Sequence, residues 1–205
     1  MPLSVLFRAA LGGDVLPQFW RPAIVVPDFK KGGKEDFKNC RPVSLTSVVC
    51  HVFEKIILFH LQNHFSFYKF LGPQQFGFVR GKSCISPLLC TINDLHSSLG
   101  QGKDVDCIYV DFHKAFDSVS IPKLLLKLSA CRVGSSVLSC LKSFLVDHKL
   151  LVKVNDPYSD PGVCVSGVPQ GSVLVPLLSC VYVNDLVGAM PHCVQTKLFT
   201  DDFRT

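Results

Sequence analysis

Three carboxylates stand out by type and spacing. Asp111 ends the apolar run VDCIYVD, and Asp201 and Asp202 stand side by side in KLFTDDFRT. Each has an ordinary explanation: an aspartate ending a strand is a turn or cap residue, and paired acids beside a terminus are solvated. Strand side chains alternate between faces, so two adjacent aspartates converge only where the chain turns. Brought together from two neighbouring strands, the three would repel strongly unless cations lay among them. Their oxygens suit a pair of hard divalent ions.

Three further stretches carry chemistry of lower specificity. GVPQGS (167–172) is a tight loop before a helix, whose N-terminus suits phosphate. Alone it reads as an ordinary loop. KKGGKEDFKNCRP gathers Lys30, Lys31, Lys34, Lys38 and Arg41 on a glycine-bearing turn, a solvated segment or one that attracts a triphosphate or a template strand. GFVRGKS (77–83) imitates a phosphate-cradling P-loop, with CIYVD as its metal-binding strand. It has three residues between its glycines where that loop needs four, and FLGPQQF before it is no buried strand. The seven histidines show no ligand spacing, and G-x-S-x-G and H-E-x-x-H are absent, which removes serine hydrolases and metalloproteases.

The elements that must position these residues follow from periodicity. RPAIVVP (21–27) predicts a strand. Val48, Val49, Val52, Phe53, Ile56, Ile57 and Leu61 form a helical stripe, and Ser86-Pro87 opens a helix with Leu88, Ile92, Leu95 and Leu99 on one face. VDCIYVDF (105–112) predicts a buried strand. Helices follow over 120–131 and 135–144, a strand over 150–156, a helix from Ser172 to about Leu186, and a last strand at QTKLF. Consecutive helices between strands exclude a regular βαβ alternation, so the fold class is α+β. The 205 residues, 48% hydrophobic with a net charge of +5, describe a globular chain that favours anionic partners. Ten cysteines without a C-x-x-C pair, most inside apolar runs, predict reduced and buried thiols. With no basic region ahead of the first apolar residues, the expectation is an intracellular protein, nuclear or cytoplasmic and not secreted. No stretch predicts a membrane span.

Taken in order, FKKGGKEDFKNCRPVSLTSVVCHVFEKII, QFGFVRGKSC, YVDFHKAFDSVS, SGVPQGSVLVPLLSCVYVNDL and LFTDD resemble the reverse transcriptase of non-LTR (LINE-type) retrotransposons, nearest the jockey and chicken-repeat group. The resemblance covers nearly the whole chain. It implies a right-hand polymerase fold, with fingers over 1–103 and a partial palm over 104–205, of which 119–166 would pack partly with the fingers. It also implies a chain truncated just after the Asp-Asp motif, thumb absent, with a short last strand that pairs poorly. The function implied is RNA-directed DNA polymerase, weak or inactive in so short a chain; a catalytically silent nucleic-acid-binding remnant is the alternative. Asp111 matches the aspartate of D-F-x-K-A-F-D, and Asp201 and Asp202 match Y/F-A-D-D. By that match the three are catalytic and bind two magnesium ions, with manganese as a substitute. Phe116 matches the steric gate against a ribose 2′-hydroxyl and Gln170 the nucleotide pocket, while Lys31 and Arg41 are assigned to the triphosphate. The implied partners are an RNA template, a DNA primer and deoxynucleoside triphosphates. Thr200, Phe203, Val175, Cys40 and Val79 depart from the family pattern, and none of them is a metal ligand.

Overall fold

The computed structural model describes the chain apart from positions 1, 13–15, 18, 19, 21, 34, 37, 38, 113, 114, 147, 148, 155, 156, 164–166, 192, 200, 201 and 205, and gives backbone alone at 202–204. In chain order the elements are α1 (Pro2–Gly12), β1 (Ala23–Phe29), β2 (Cys40–Leu45), α2 (Val48–Tyr68), α3 (Ile85–Gly100), β3 (Tyr109–Asp111), α4 (Ile121–Ala130), α5 (Ser135–Leu145), β4 (Lys149–Val152), β5 (Gly162–Val163), α6 (Val175–Val183), a 3-10 helix (Asn184–Ala189), β6 (Lys197–Phe199) and β7 (Asp202–Arg204). The mixture is α+β. Two compact units form, Met1–Leu61 with Phe116–Val175, and Gln62–Ala115 with Pro176–Thr205.

The first unit carries a four-stranded sheet in the order β2-β1-β4-β5, with β1 antiparallel to β2 and parallel to β4. Strand β2 was not anticipated. Pro42 lies on an edge strand opposite Pro27, where its missing N–H costs little. The β1–β4 pairing stops at Val25, before Pro27. The Ser47 hydroxyl accepts the Cys50 amide at 3.2 Å and so caps α2. The helix then buries Cys50, Phe53, Glu54, Ile57 and Leu61 at helical spacing. Leu16, Cys140, Leu141, Phe144 and Leu174 line a small gap with the first four of these. Phe53 stacks at 5.2 Å on both Phe7 and Trp20.

The second unit carries a three-stranded sheet, β3-β7-β6. Leu198 of β6 bonds to the segment at 74–76: its amide donates to the Gln74 carbonyl at 2.9 Å and its carbonyl accepts the Phe76 amide at 2.8 Å. Asn184 accepts the Gly72 amide and donates to the Phe70 carbonyl, each at 2.9 Å. Lys197 forms an ion pair with Asp94 of α3. Leu177, Leu178, Cys180, Val181 and Leu198 are buried.

Several expectations need correction. Only Tyr109–Asp111 of VDCIYVDF is strand, and it is exposed rather than buried, Tyr109 at 64%. On α3, Leu88, Ile92 and Leu99 are exposed, although their spacing is that of a core-facing stripe. The helix expected from Ser172 begins at Val175 and passes into the 3-10 helix at Asn184. Cys50, Cys140 and Cys180 are buried thiols, but Cys84, Cys90, Cys107 and Cys193 are exposed. The last strand pairs better than its length suggested, since β7 bonds to β3 and to β6. Among the described residues no helix is long and apolar enough to cross a membrane.

Candidate functional site

The carboxylate positions are set by one hairpin and one edge strand. Antiparallel β6 and β7 pair Phe199 with Asp202. Position 201 lies outside the described residues, as does the Asp202 side chain. The β7 backbone pairs with β3 in the register Tyr109↔Arg204, Val110↔Phe203 and Asp111↔Asp202. Directly opposed residues of antiparallel strands hold their Cα atoms about 4.5–5.5 Å apart. Two acids separated by 91 positions in the chain are thereby cross-strand neighbours. Like charges in that relation destabilise a sheet. Asp111 is exposed at the rim, so a hard cation could reach the pair and relieve the repulsion, and carboxylate oxygens are the donors such an ion needs. By residue type, the two acids at this register position suit a divalent metal. Among the described residues alone, no group of three His, Cys, Asp or Glu side chains could hold a metal ion.

The loop 167–172 is built by close backbone approach. Gly167 has φ +89°, and a Cβ there would lie 2.8 Å from the Asp117 Cα and carbonyl oxygen. Gly171 has φ +117°, and a Cβ there would strike the Ser44 carbonyl oxygen. Only glycine meets both demands. The Val168 amide donates to the Phe116 carbonyl at 2.9 Å, and the Ser44 amide donates to the Gln170 carbonyl at 2.6 Å. Phe116 and Gln170 thus share one loop assembly. Arg41 is exposed on β2 opposite Asp28, three residues before Ser44. Lys31 is exposed in the hairpin turn beyond the Phe29↔Cys40 pair, more than roughly 13 Å along the strand from Ser44 at about 3.3 Å per residue.

Residues 29–204 match the family described as reverse transcriptase (RNA-dependent DNA polymerase). The chain belongs to this family. It is 30% identical over 185 residues to the probable RNA-directed DNA polymerase from transposon BS of Drosophila melanogaster, covering 90% of this chain and 20% of that protein. The RNA-directed DNA polymerase from mobile element jockey of the same organism is 29% identical over 190 residues, covering 92% and 21%. The chain spans about a fifth of the length of the curated relatives it matches. Among solved structures, apo telomerase from Candida tropicalis superposes with a TM-score of 0.64 at 14% identity, over 93% of this chain and 44% of that one. That likeness concerns the fold: a partial reverse transcriptase fold of mixed helix and strand. The LINE-type resemblance drawn from the motifs holds, because these homologues are polymerases of non-LTR retrotransposons. Reverse transcriptases generally use divalent metals.

Within this reverse transcriptase domain the P-loop imitation has a structural task. The Lys82 ammonium donates to the carbonyls of Pro73 and Gln75 at 2.6 and 2.8 Å and sits 4.5 Å above the Phe76 ring. Burial lowers its pKa from the ordinary lysine value, with Cys90 acting in the opposite sense. A lysine holding two carbonyls braces its own loop instead of cradling a phosphate. Sequence reasoning missed Glu54. Its signal was an acid in register with Cys50, Phe53 and Ile57 on the buried face of α2.

Proposed function

We propose that this chain is the nucleotidyl-transfer portion of a LINE-type reverse transcriptase, extending a DNA primer on an RNA template with deoxynucleoside triphosphates. The observation that carries this reading is the register of Asp111 with Asp202. In this reading Asp111, Asp201 and Asp202 would hold two magnesium ions, which manganese could replace. Bound there, the ions would supply Lewis-acid activation of the primer 3′-hydroxyl and neutralise the leaving pyrophosphate. The remaining roles belong to side chains. Lys31 and Arg41 bind triphosphate oxygens, Arg41 with its two-pronged guanidinium and Lys31 as a point charge. Phe116 excludes a ribose 2′-hydroxyl by bulk, and Gln170 lines the nucleotide against its template base. Residues 1–103 serve as fingers and 104–205 as part of the palm. Positioning and charge neutralisation account for most of such a reaction. The test is primer extension on an RNA template by the full chain. Magnesium-dependent extension that is lost in both Asp111→Asn and Asp202→Asn supports the reading. Extension surviving either substitution overturns it.

A further inference from the structure

Glu54 turns a carboxylate into the interior of the first unit, 1% exposed. A buried carboxylate persists only where donors surround it. Its Oε2 accepts the Ser172 hydroxyl at 2.6 Å, the Val173 amide at 2.6 Å and the Leu174 amide at 3.4 Å, and its Oε1 accepts the Cys50 thiol at 3.5 Å. Bonds to an ionised acceptor are the strong kind. Three of the four donors come from consecutive residues at the exit of the 167–172 loop. At its other side the loop is held where the Ser44 amide meets the Gln170 carbonyl and Gly171 lies flat against Ser44. Gln170 is therefore strung between two anchors, one on β2 and one on α2.

We infer that Glu54 is a positioning residue: its carboxylate fixes residues 172–174 and through them holds Gln170 in place for the incoming deoxynucleotide. The inference rests on the reading of Gln170 as a nucleotide contact. Glu54 itself touches no substrate. A glutamine can turn its amide oxygen toward Ser172 and Val173 and its NH2 toward the Cys50 sulfur, so Glu54→Gln keeps the anchor. Glu54→Ala leaves the Ser172 hydroxyl and the Val173 amide without an acceptor, while the Leu174 amide keeps the Ser172 Oγ at 3.2 Å.

Two readouts on the full chain test this. Amide hydrogen exchange at Val173 rises about tenfold or more in Glu54→Ala while α5 stays protected, and Glu54→Gln restores it. In primer extension the deoxynucleotide KM rises about tenfold in Glu54→Ala with little change in kcat, again restored by Glu54→Gln. Unchanged exchange overturns the inference. So does raised exchange with an unchanged KM, or an equal loss in both variants, which marks a role in folding alone. If Glu54→Ala does not fold, Ser172→Ala, which removes one of the donors to Glu54, decides: raised exchange at Val173 with a raised deoxynucleotide KM supports the anchor, and an unchanged KM overturns it. A wild-type chain that extends no primer overturns the activity proposed for this chain and leaves Glu54 to the exchange readout, whereas an active wild type with an unchanged KM in Glu54→Ala refutes Glu54 alone.

Discussion

Gly171→Ala strikes the loop at its tightest point. At φ +117° the new residue occupies backbone space that side-chain-bearing residues rarely adopt, a strain of about 1–3 kcal/mol. Its Cβ also falls well inside the 3.0 Å that real Cβ atoms respect, against the Ser44 carbonyl oxygen. Ser44 cannot simply recede, because it lies on paired β2 and its amide is bonded to Gln170 at 2.6 Å. Overpacking of this sort adds about 1–3 kcal/mol. Together these give an expected loss of about 2–6 kcal/mol out of a typical domain stability of about 5–15 kcal/mol, which lowers the melting temperature by roughly 10 °C. Gly134→Ala is the control. Its φ is −57° and nothing lies within 4 Å of the added Cβ, so its effect stays within about 0.5 kcal/mol. Thermal denaturation followed by circular dichroism measures both. Melting of Gly171→Ala within about 2 °C of wild type would refute the clamped loop and the placement of Gln170 that depends on it.

Other expectations follow from the thiols and from Lys82. Iodoacetamide on the native chain modifies Cys84, Cys90, Cys107 and Cys193 and spares Cys50, Cys140 and Cys180; peptide mapping reads the pattern, and early labelling of Cys50 would contradict the packing of α2. Burial, then the Glu54 carboxylate, pushes the Cys50 thiol up to about 12 from 9.0, and burial pushes Cys140 up to about 11. The folded state therefore keeps protons that the unfolded state releases above pH 9, so this stability is whole below pH 9 and is lost as pH rises toward 11 and 12. Urea midpoints across that range fall less steeply in Cys50→Ala/Cys140→Ala, and parallel slopes would count against the assignment. Lys82→Met leaves two carbonyls without their donor and lowers stability by about 1–3 kcal/mol. ATP turnover dependent on Lys82 would revive the P-loop reading.

How much of this was legible depended on whether a residue's role is local. The three aspartates were visible because their type and order match the motifs of the family, although each alone is an ordinary turn or terminal residue, and the glycines of 167–172 because only glycine tolerates such backbone. Strand β2 was hidden by Pro42, whose tolerance depends on an edge position that composition does not encode. The apolar letters of VDCIYVDF gave the strand but not its exposure, since burial depends on what packs against the faces of the sheet, which a strand's own letters do not encode. Glu54 was passed over because a helical stripe is read from its apolar members. An acid within that stripe draws its meaning from donors 118–120 residues away.

The central claim is that Asp111 and Asp202 serve one metal site. Manganese titration of the full chain, followed by calorimetry or by the electron paramagnetic resonance of the free ion, tests it most directly. Asp111→Asn and Asp202→Asn should each weaken binding about tenfold or more, and the double variant should lose little beyond either single one. Independent effects that multiply, or wild-type affinity retained in Asp111→Asn, would contradict it.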